Sequence, residues 1–164
     1  MMGSKKSRTK KMGEEFYQTV EDKFIFRVKK DLRYTEDDVW VRVEGKSARI
    51  GVTDFFQRRG GDIVYIVIPK VGDRVEKEEE FIQFETIKAV STIKSPLNGT
   101  VEKVNNSLND RPELVNEDPY GDGWLIAITT QKLEENIKEL LTAKEYFELM
   151  KAKIKRDLEK TKGV

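Results

Sequence analysis

Alternation of apolar and polar residues runs through the middle of the chain and predicts short β-strands. Residues 39–43 alternate valine with bulkier and charged side chains, and the turn-forming segment 44–46 separates them from a second mixed run at 47–52. The two runs predict a β-hairpin. Residues 63–68 are rich in β-branched side chains, and Pro69 ends that run because proline cannot donate a ladder hydrogen bond. This part of the chain is therefore predicted to be mainly β.

Lys88 lies near the junction of two further apolar runs, 81–84 and 89–93, which predict two strands of a hairpin. A lysine at such a junction can project into solvent. Its amine is a nucleophile on a flexible stem, which suits the attachment of a prosthetic arm. Most exposed lysines serve only as solvated charges, so this spacing alone leaves an ordinary surface lysine as the alternative.

Helical signals occur in two places. A short helix is predicted over 54–59, after a threonine that can cap it and before two glycines that can end it. From 132 to 164 the apolar residues recur with helical spacing, and Thr142 opens a capping-box sequence for a second helix. We expect these C-terminal helices to pack on the β domain and to fray past about Leu158.

The N-terminal residues divide into two segments. Residues 1–13 hold five basic residues and no acidic residue, which predicts a disordered basic tail. Residues 14–30 form an N-terminal extension whose pattern is ambiguous. Phe16, Tyr17, Val20 and Phe24 have spacings compatible with one face of a helix, whereas 24–28 could equally form a strand.

Composition excludes several kinds of function. The chain has 164 residues, which suits one domain with a modest core, and 31 basic against 30 acidic residues give a net charge of +1. That balance argues against nucleic-acid binding through bulk electrostatics. Cysteine and histidine are absent, so thiolate and imidazole catalysis and the commonest zinc ligands are excluded, and no metal site is expected. Because no apolar run could span a bilayer and no secretion signal is recognised, we expect a cytoplasmic protein without a membrane partner.

The residues around Lys88 carry a more specific signal. Glu85-Thr86-Ile87-Lys88-Ala89, followed by Ser95-Pro96-Leu97-Asn98-Gly99, resembles the attachment hairpin of lipoyl and biotinyl carrier domains. Biotin carriers normally flank their lysine with methionines, so lipoate is favoured over biotin here.

Blocks on both sides of this hairpin resemble the glycine cleavage system H protein family, over about residues 31 to 150. The long polar segment 105–122, predicted to be a loop, is part of that resemblance. The matching blocks are Leu32-Arg33-Tyr34-Thr35, Trp40-Val41, 50–54, 61–69, 105–108, 111–116 and 117–125.

The resemblance implies a flattened barrel-sandwich hybrid of two antiparallel sheets, like a lipoyl domain, over 31–131. It implies lipoate in amide linkage on Lys88, with Glu85 helping a lipoate–protein ligase to recognise the hairpin. The protein would be a non-catalytic carrier that brings an aminomethyl group from glycine decarboxylase to aminomethyltransferase, with lipoamide dehydrogenase reoxidising the arm. Tethering raises the effective concentration of the arm at each docked enzyme.

Two positions depart from the family pattern. The glutamate that holds the aminomethyl amine in the family corresponds to Val39, and a position that is usually histidine is Arg59. Asp37 or Asp38 is a candidate to supply the missing carboxylate in the cleft that receives the arm. Alternatively, the protein resembles H-like lipoate-binding proteins that carry sulfur for a heterodisulfide-reductase-like complex, which would not need the glutamate.

Two other kinds of protein share part of this pattern. A detached lipoyl domain of a 2-oxoacid dehydrogenase should lack the block from Asn116 to Trp124, which is present. A structural protein with unmodified Lys88, or a carrier that receives lipoate for transfer elsewhere, stays open on the sequence alone.

Overall fold

The computed structural model describes residues 15–162, so the predicted tail over 1–13 lies outside the described residues. The strands in chain order are β1 (Phe16–Glu21), β2 (Phe24–Lys29), β3 (Arg33–Tyr34), β4 (Val39–Glu44), β5 (Ser47–Val52), β6 (Ile63–Val67), β7 (Arg74–Val75), β8 (Glu80–Thr86), β9 (Val90–Lys94), β10 (Gly99–Val104), β11 (Ile126–Thr129) and β12 (Leu141–Thr142). The helices are α1 (Asp54–Gly60), a 3₁₀ turn (Asn106–Asn109), α2 (Leu114–Glu117), α3 (Leu133–Lys138) and α4 (Ala143–Lys162).

Antiparallel sheets form the centre of the molecule. A seven-stranded sheet has the order β12-β3-β4-β5-β11-β10-β7, and a three-stranded sheet has the order β6-β8-β9. The predicted mainly β, lipoyl-domain-like fold is confirmed. The hairpin of β1 and β2 adds a separate two-stranded sheet that the prediction did not include.

Two apolar clusters lie on opposite faces of β4. Val39 and Val41 belong to the first core, which contains side chains from both larger sheets. Trp40 belongs to the second core, together with residues of the N-terminal hairpin and α4. Because successive side chains of a strand point to opposite faces, the Val-Trp-Val sequence joins the two cores. Gly51 pairs with Trp40, and a Cβ there would come within 2.4 Å of the indole ring, so only glycine leaves room for it.

The N-terminal extension forms strands rather than a helix. The two residues of its turn, Asp22 and Lys23, have positive φ angles of 45° and 76°. Positive φ at both positions lets a two-residue turn match the right-handed twist of the strands that it joins. Phe26 and Val28 on β2 are buried, and the Phe26 ring lies 6.0 Å from the ring of Phe55 on α1. The apolar residues whose spacing fitted a helical face lie on two paired strands instead, with Phe16, Tyr17 and Val20 on β1 and Phe24 on β2.

The helix predictions are confirmed near their starts. Thr53 accepts a hydrogen bond from the Phe56 amide at 3.3 Å and caps α1, which covers the predicted 54–59 and ends one residue later. Thr142 and Glu145 exchange backbone-to-side-chain hydrogen bonds of 2.9 and 3.2 Å, which is the predicted capping box. The last helix was expected to fray past Leu158, but α4 runs through Lys162.

The predicted loop over 105–122 contains the 3₁₀ turn and α2. Leu108, Leu114 and Val115 bury their side chains in the first core. The Asn116 side chain accepts from the Ile63 amide at 2.9 Å and donates to the Gly61 carbonyl at 2.9 Å. This segment is therefore a packed part of the domain that fixes the start of β6.

Candidate functional site

Lys88 lies in the turn between β8 and β9, and its side chain is exposed. Glu85 pairs with Val90 at the end of the ladder. The turn is closed by the Thr86 amide, which donates to the Ala89 carbonyl at 2.9 Å, and by the Ala89 amide, which donates to the Thr86 hydroxyl at 3.2 Å. Threonine thus orders the turn with its own side chain and holds the lysine stem outward.

The strands below this turn are anchored in the first core. Ile82, Phe84 and Ile93 are buried, and the Phe84 ring lies 5.0 Å from the Phe56 ring at 57°. After β9, the Ser95 hydroxyl donates to the Leu97 carbonyl at 2.6 Å. Ser95 and Leu97 are both buried. The Ser-Pro-Leu motif therefore anchors the hairpin, while the turn carries the exposed amine.

The Lys88 amine is available for covalent modification. It takes part in none of the ion pairs found between the described residues. An exposed amine on a rigid hairpin can accept an acyl group without a change in the fold. The residues present therefore fit an amide-linked prosthetic group.

A cleft of about 440 Å³ lies beside β9. Strand β9 contributes Ser91, Thr92 and Lys94 to its wall, and the end of α1 contributes Arg59. Thr92 is four residues from Lys88, so the two Cα atoms are at most about 14 Å apart. A long flexible group on Lys88 could therefore reach the cleft by following β9.

Asp38 forms the floor of this cleft and is only 7% exposed. Its Oδ1 accepts a hydrogen bond of 2.7 Å from the Tyr146 hydroxyl and one of 2.9 Å from Lys153 Nζ. The Tyr146 and Thr53 hydroxyl oxygens are 2.8 Å apart. The carboxylate thus joins the start of β4 to two turns of α4.

Burial raises the pKa of Asp38, although the Lys153 ammonium and the hydrogen bond from Tyr146 act in the opposite direction. Burial, together with the negative charge of Asp38, also raises the pKa of Tyr146, so its hydroxyl stays protonated and donates.

The predicted cleft residues separate into two groups. Asp38 and Arg59 both line the cleft, and Arg59 also forms an ion pair of 3.3 Å with Asp157. Val39 is fully buried in the first core and does not line the cleft. Glu85 is half-buried on β8, three residues before Lys88.

Sequence reasoning missed the contribution of α4 to the cleft. Lys153 lines it, and Tyr146 lies behind Asp38. The two are seven residues apart, which places them on one face of a helix. That spacing was visible in the sequence, but nothing in it indicated that the face would meet Asp38.

Between residues 15 and 162, no group of three or more carboxylates is arranged to hold a metal ion. No helix in the same range is long and apolar enough to cross a membrane.

The fold and the exposed turn lysine define a lipoyl-domain-like protein. The family model described as "Glycine cleavage H-protein" matches residues 32–153. The chain is 49% identical over 117 residues to the glycine cleavage system H protein of Geobacillus kaustophilus, covering 71% of this chain and 91% of that protein. It is 45% identical over 122 residues to that of Bacillus pumilus, covering 74% and 95%.

A crystal structure of a glycine cleavage system H protein from Mycobacterium marinum has the same fold. The TM-score is 0.66 at 33% sequence identity, and the match covers 73% of this chain and 95% of that one. The chain therefore belongs to the glycine cleavage H-protein family. The N-terminal hairpin and the last two turns of α4 lie outside the region that matches the family model.

Proposed function

We propose that this protein is a lipoyl carrier of a glycine cleavage system, with lipoate in amide linkage on Lys88. The observation that carries the proposal is the exposed amine of Lys88 at the turn of a hairpin whose strands are anchored in the core. Family membership supports the pathway. The comparisons give no support to the alternative role in sulfur oxidation.

In this role the protein is a non-catalytic, cytoplasmic subunit. Bound lipoate supplies a dithiolane that can be reduced, loaded and reoxidised at different enzymes. The chain itself holds the attachment point rigid and offers a cleft beside it. Its partners would be glycine decarboxylase, aminomethyltransferase and lipoamide dehydrogenase, with a lipoate–protein ligase recognising Glu85 near Lys88.

The cleft would accept a cationic cargo through carboxylates other than the family glutamate. Val39 offers none, and Asp38 is already paired with Lys153. Asp37 also lines the cleft and is exposed. We therefore assign Asp37 as the group that pairs with an amine on the arm. The other charged residues that line the cleft are Asp38 and Glu80 on the acidic side and Arg59, Lys94 and Lys153 on the basic side.

Replacing Lys88 with arginine tests the attachment site. The guanidinium would keep the positive charge but provides no acylatable amine, so lipoylation should be abolished. The free energy of unfolding should change by less than about 0.5 kcal/mol because the side chain is exposed. Peptide mass spectrometry after incubation with a lipoate–protein ligase measures the first effect, and urea unfolding measures the second.

The matched control is Lys103→Arg, which replaces an exposed lysine on β10 that does not line the cleft and should leave Lys88 lipoylated. Retention of lipoate in the Lys88→Arg variant would refute the assignment. The pathway is tested separately by glycine–carbon dioxide exchange with glycine decarboxylase and labelled carbon dioxide. Lipoylated protein that supports no exchange above background would contradict glycine cleavage and leave the attachment site intact.

A further inference from the structure

Exposed apolar side chains are concentrated around Lys88. Among the described residues, five large ones lie on the three-stranded sheet or in its turn, and we call them the apolar patch. The patch consists of Val64, Tyr65, Val67, Ile87 and Val90, which are 46–84% exposed. Exposed apolar side chains that cluster on one sheet mark interaction sites more often than single exposed residues do.

Strand register places Tyr65, Val67 and Val90 of the patch on one face of the sheet. Tyr65 pairs with Glu85, and Glu85 pairs with Val90, so their side chains form one row across three strands. Phe84, the neighbour of Glu85, points the other way into the first core. These three residues thus lie on the outer face of the sheet whose inner face is buried in the first core.

A bulge in β6 increases this exposure. The pairing with β8 shifts between Ile63 and Tyr65, so Val64 has no partner of its own in the ladder. Both Val64 and Tyr65 are more than half exposed as a result, while Ile63 stays buried. Bulges commonly redirect side chains beside functional sites.

Any enzyme that acylates Lys88 must distinguish it from the other exposed lysines of this chain, such as Lys94 on the same hairpin. The amine itself cannot provide that distinction, so recognition must come from the surface around it. Val90 is two residues from Lys88, so their Cα atoms are at most about 7 Å apart. An interface of ordinary size, about 800 Å² on each partner, could not enclose the turn without covering the patch.

We propose that the apolar patch is the docking surface for the enzyme that transfers the lipoyl group to Lys88. This inference rests on the proposed function. Tyr65 and Val90 are the central contacts, and Glu85 between them pairs with a cationic group of the enzyme. Charge pairing inside an apolar surround gives specificity, while the apolar contacts supply most of the affinity.

The double variant Tyr65→Thr/Val90→Thr tests this surface. Threonine retains β-branching, so the strands should still form. With a lipoate–protein ligase, lipoate and ATP, initial rates are measured against the concentration of unlipoylated protein. The KM for the carrier should rise about tenfold or more, with kcat changed less than twofold, because the contacts are lost from binding.

The control is Val20→Thr/Ile25→Thr, which removes two exposed apolar side chains from the N-terminal hairpin. Its KM should stay within about twofold of the value for the unmutated protein. Circular dichroism checks that both double variants are folded. The single variant Tyr65→Thr should raise the KM less than the double variant does, because it removes only one of the two central contacts.

Several results would overturn the proposal. An unchanged KM in the folded patch variants would mean that the ligase docks elsewhere. A fall in kcat without a rise in KM would mean the same. Sedimentation that shows a dimer dispersed by the patch substitutions would assign the surface to a second copy. If the unmutated chain is never lipoylated at Lys88, the proposed function fails as well. If it is lipoylated normally and the patch variants are lipoylated equally well, the docking surface alone is wrong.

Discussion

At the scale of single residues, Asp38 combines an unusual backbone conformation with a buried charge. Its φ angle is 70°, in the left-handed region that aspartate and asparagine tolerate better than most residues. Its backbone carbonyl accepts from the Thr53 amide at 3.0 Å. This conformation turns the carboxylate toward Tyr146 and Lys153, so backbone and side chain both tie β4 to neighbouring elements.

The raised pKa of Asp38 predicts a specific pH dependence of stability. When burial raises an acid's pKa in the folded state, its contribution to the free energy of unfolding is greatest below the ordinary value of 3.8. That contribution is lost as the pH rises through the higher folded pKa. Asp38→Asn removes this titration and keeps a residue that tolerates the backbone angle.

We therefore expect the unfolding free energy of the unmutated protein, minus that of Asp38→Asn, to decrease as the pH rises above about 4. Urea unfolding of both proteins from about pH 4 to about pH 7 measures this difference. An increase over the same range would mean that the Lys153 ion pair outweighs burial, contrary to the expected direction.

At the scale of elements, the N-terminal hairpin is a structural part of the domain. Tyr17 stacks on Phe147 of α4 with ring centroids 5.3 Å apart, and Tyr120 donates through its hydroxyl to the Arg27 carbonyl at 2.7 Å. Phe26 belongs to the second core. The hairpin thus covers apolar side chains of α1 and α4 that would otherwise meet water.

Phe26→Ala should lower the free energy of unfolding by about 3–5 kcal/mol, because a buried aromatic side chain is replaced by a cavity. The matched control is Phe24→Ala on the same strand, which is half-exposed and lies under Arg58. Its effect should be about 1 kcal/mol or less. Similar small losses in both variants, measured by urea unfolding, would show that the hairpin is only loosely attached.

At the scale of the whole molecule, the two cores should unfold together. Strand β4 sends Val39 and Val41 into the first core and Trp40 into the second, so neither core can be lost without breaking this strand. Single domains of this size commonly unfold in one cooperative step.

Tryptophan fluorescence and far-UV circular dichroism should therefore give the same urea midpoint. Both tryptophans report on the second core, since Trp40 lies within it and Trp124 packs against it. Circular dichroism follows the strands around both cores. Two separated midpoints would show that the hairpin and α4 form an independent unit.

The sequence predicted the hairpin of Lys88, the cap of α1 and the capping box of α4 because each signal lies within a few neighbouring residues. It could not choose helix or strand for 16–29, where the apolar spacing fits both periods. The choice follows from burial of Phe26 against Phe55, which is far along the chain. The same limit applied to Val39, whose burial depends on which face of β4 meets the first core.

The amino-acid sequence by itself determined the strand pattern of the central β domain, the exposed amine and the family resemblance, since these depend on local periodicity and on motifs of contiguous residues. Only the tertiary structure decided that Lys153 meets Asp38 across 115 positions and that Tyr65 and Val90 share one exposed face. Such contacts depend on how strands and helices pack. That packing forms when apolar residues from segments far apart in the chain are buried against one another.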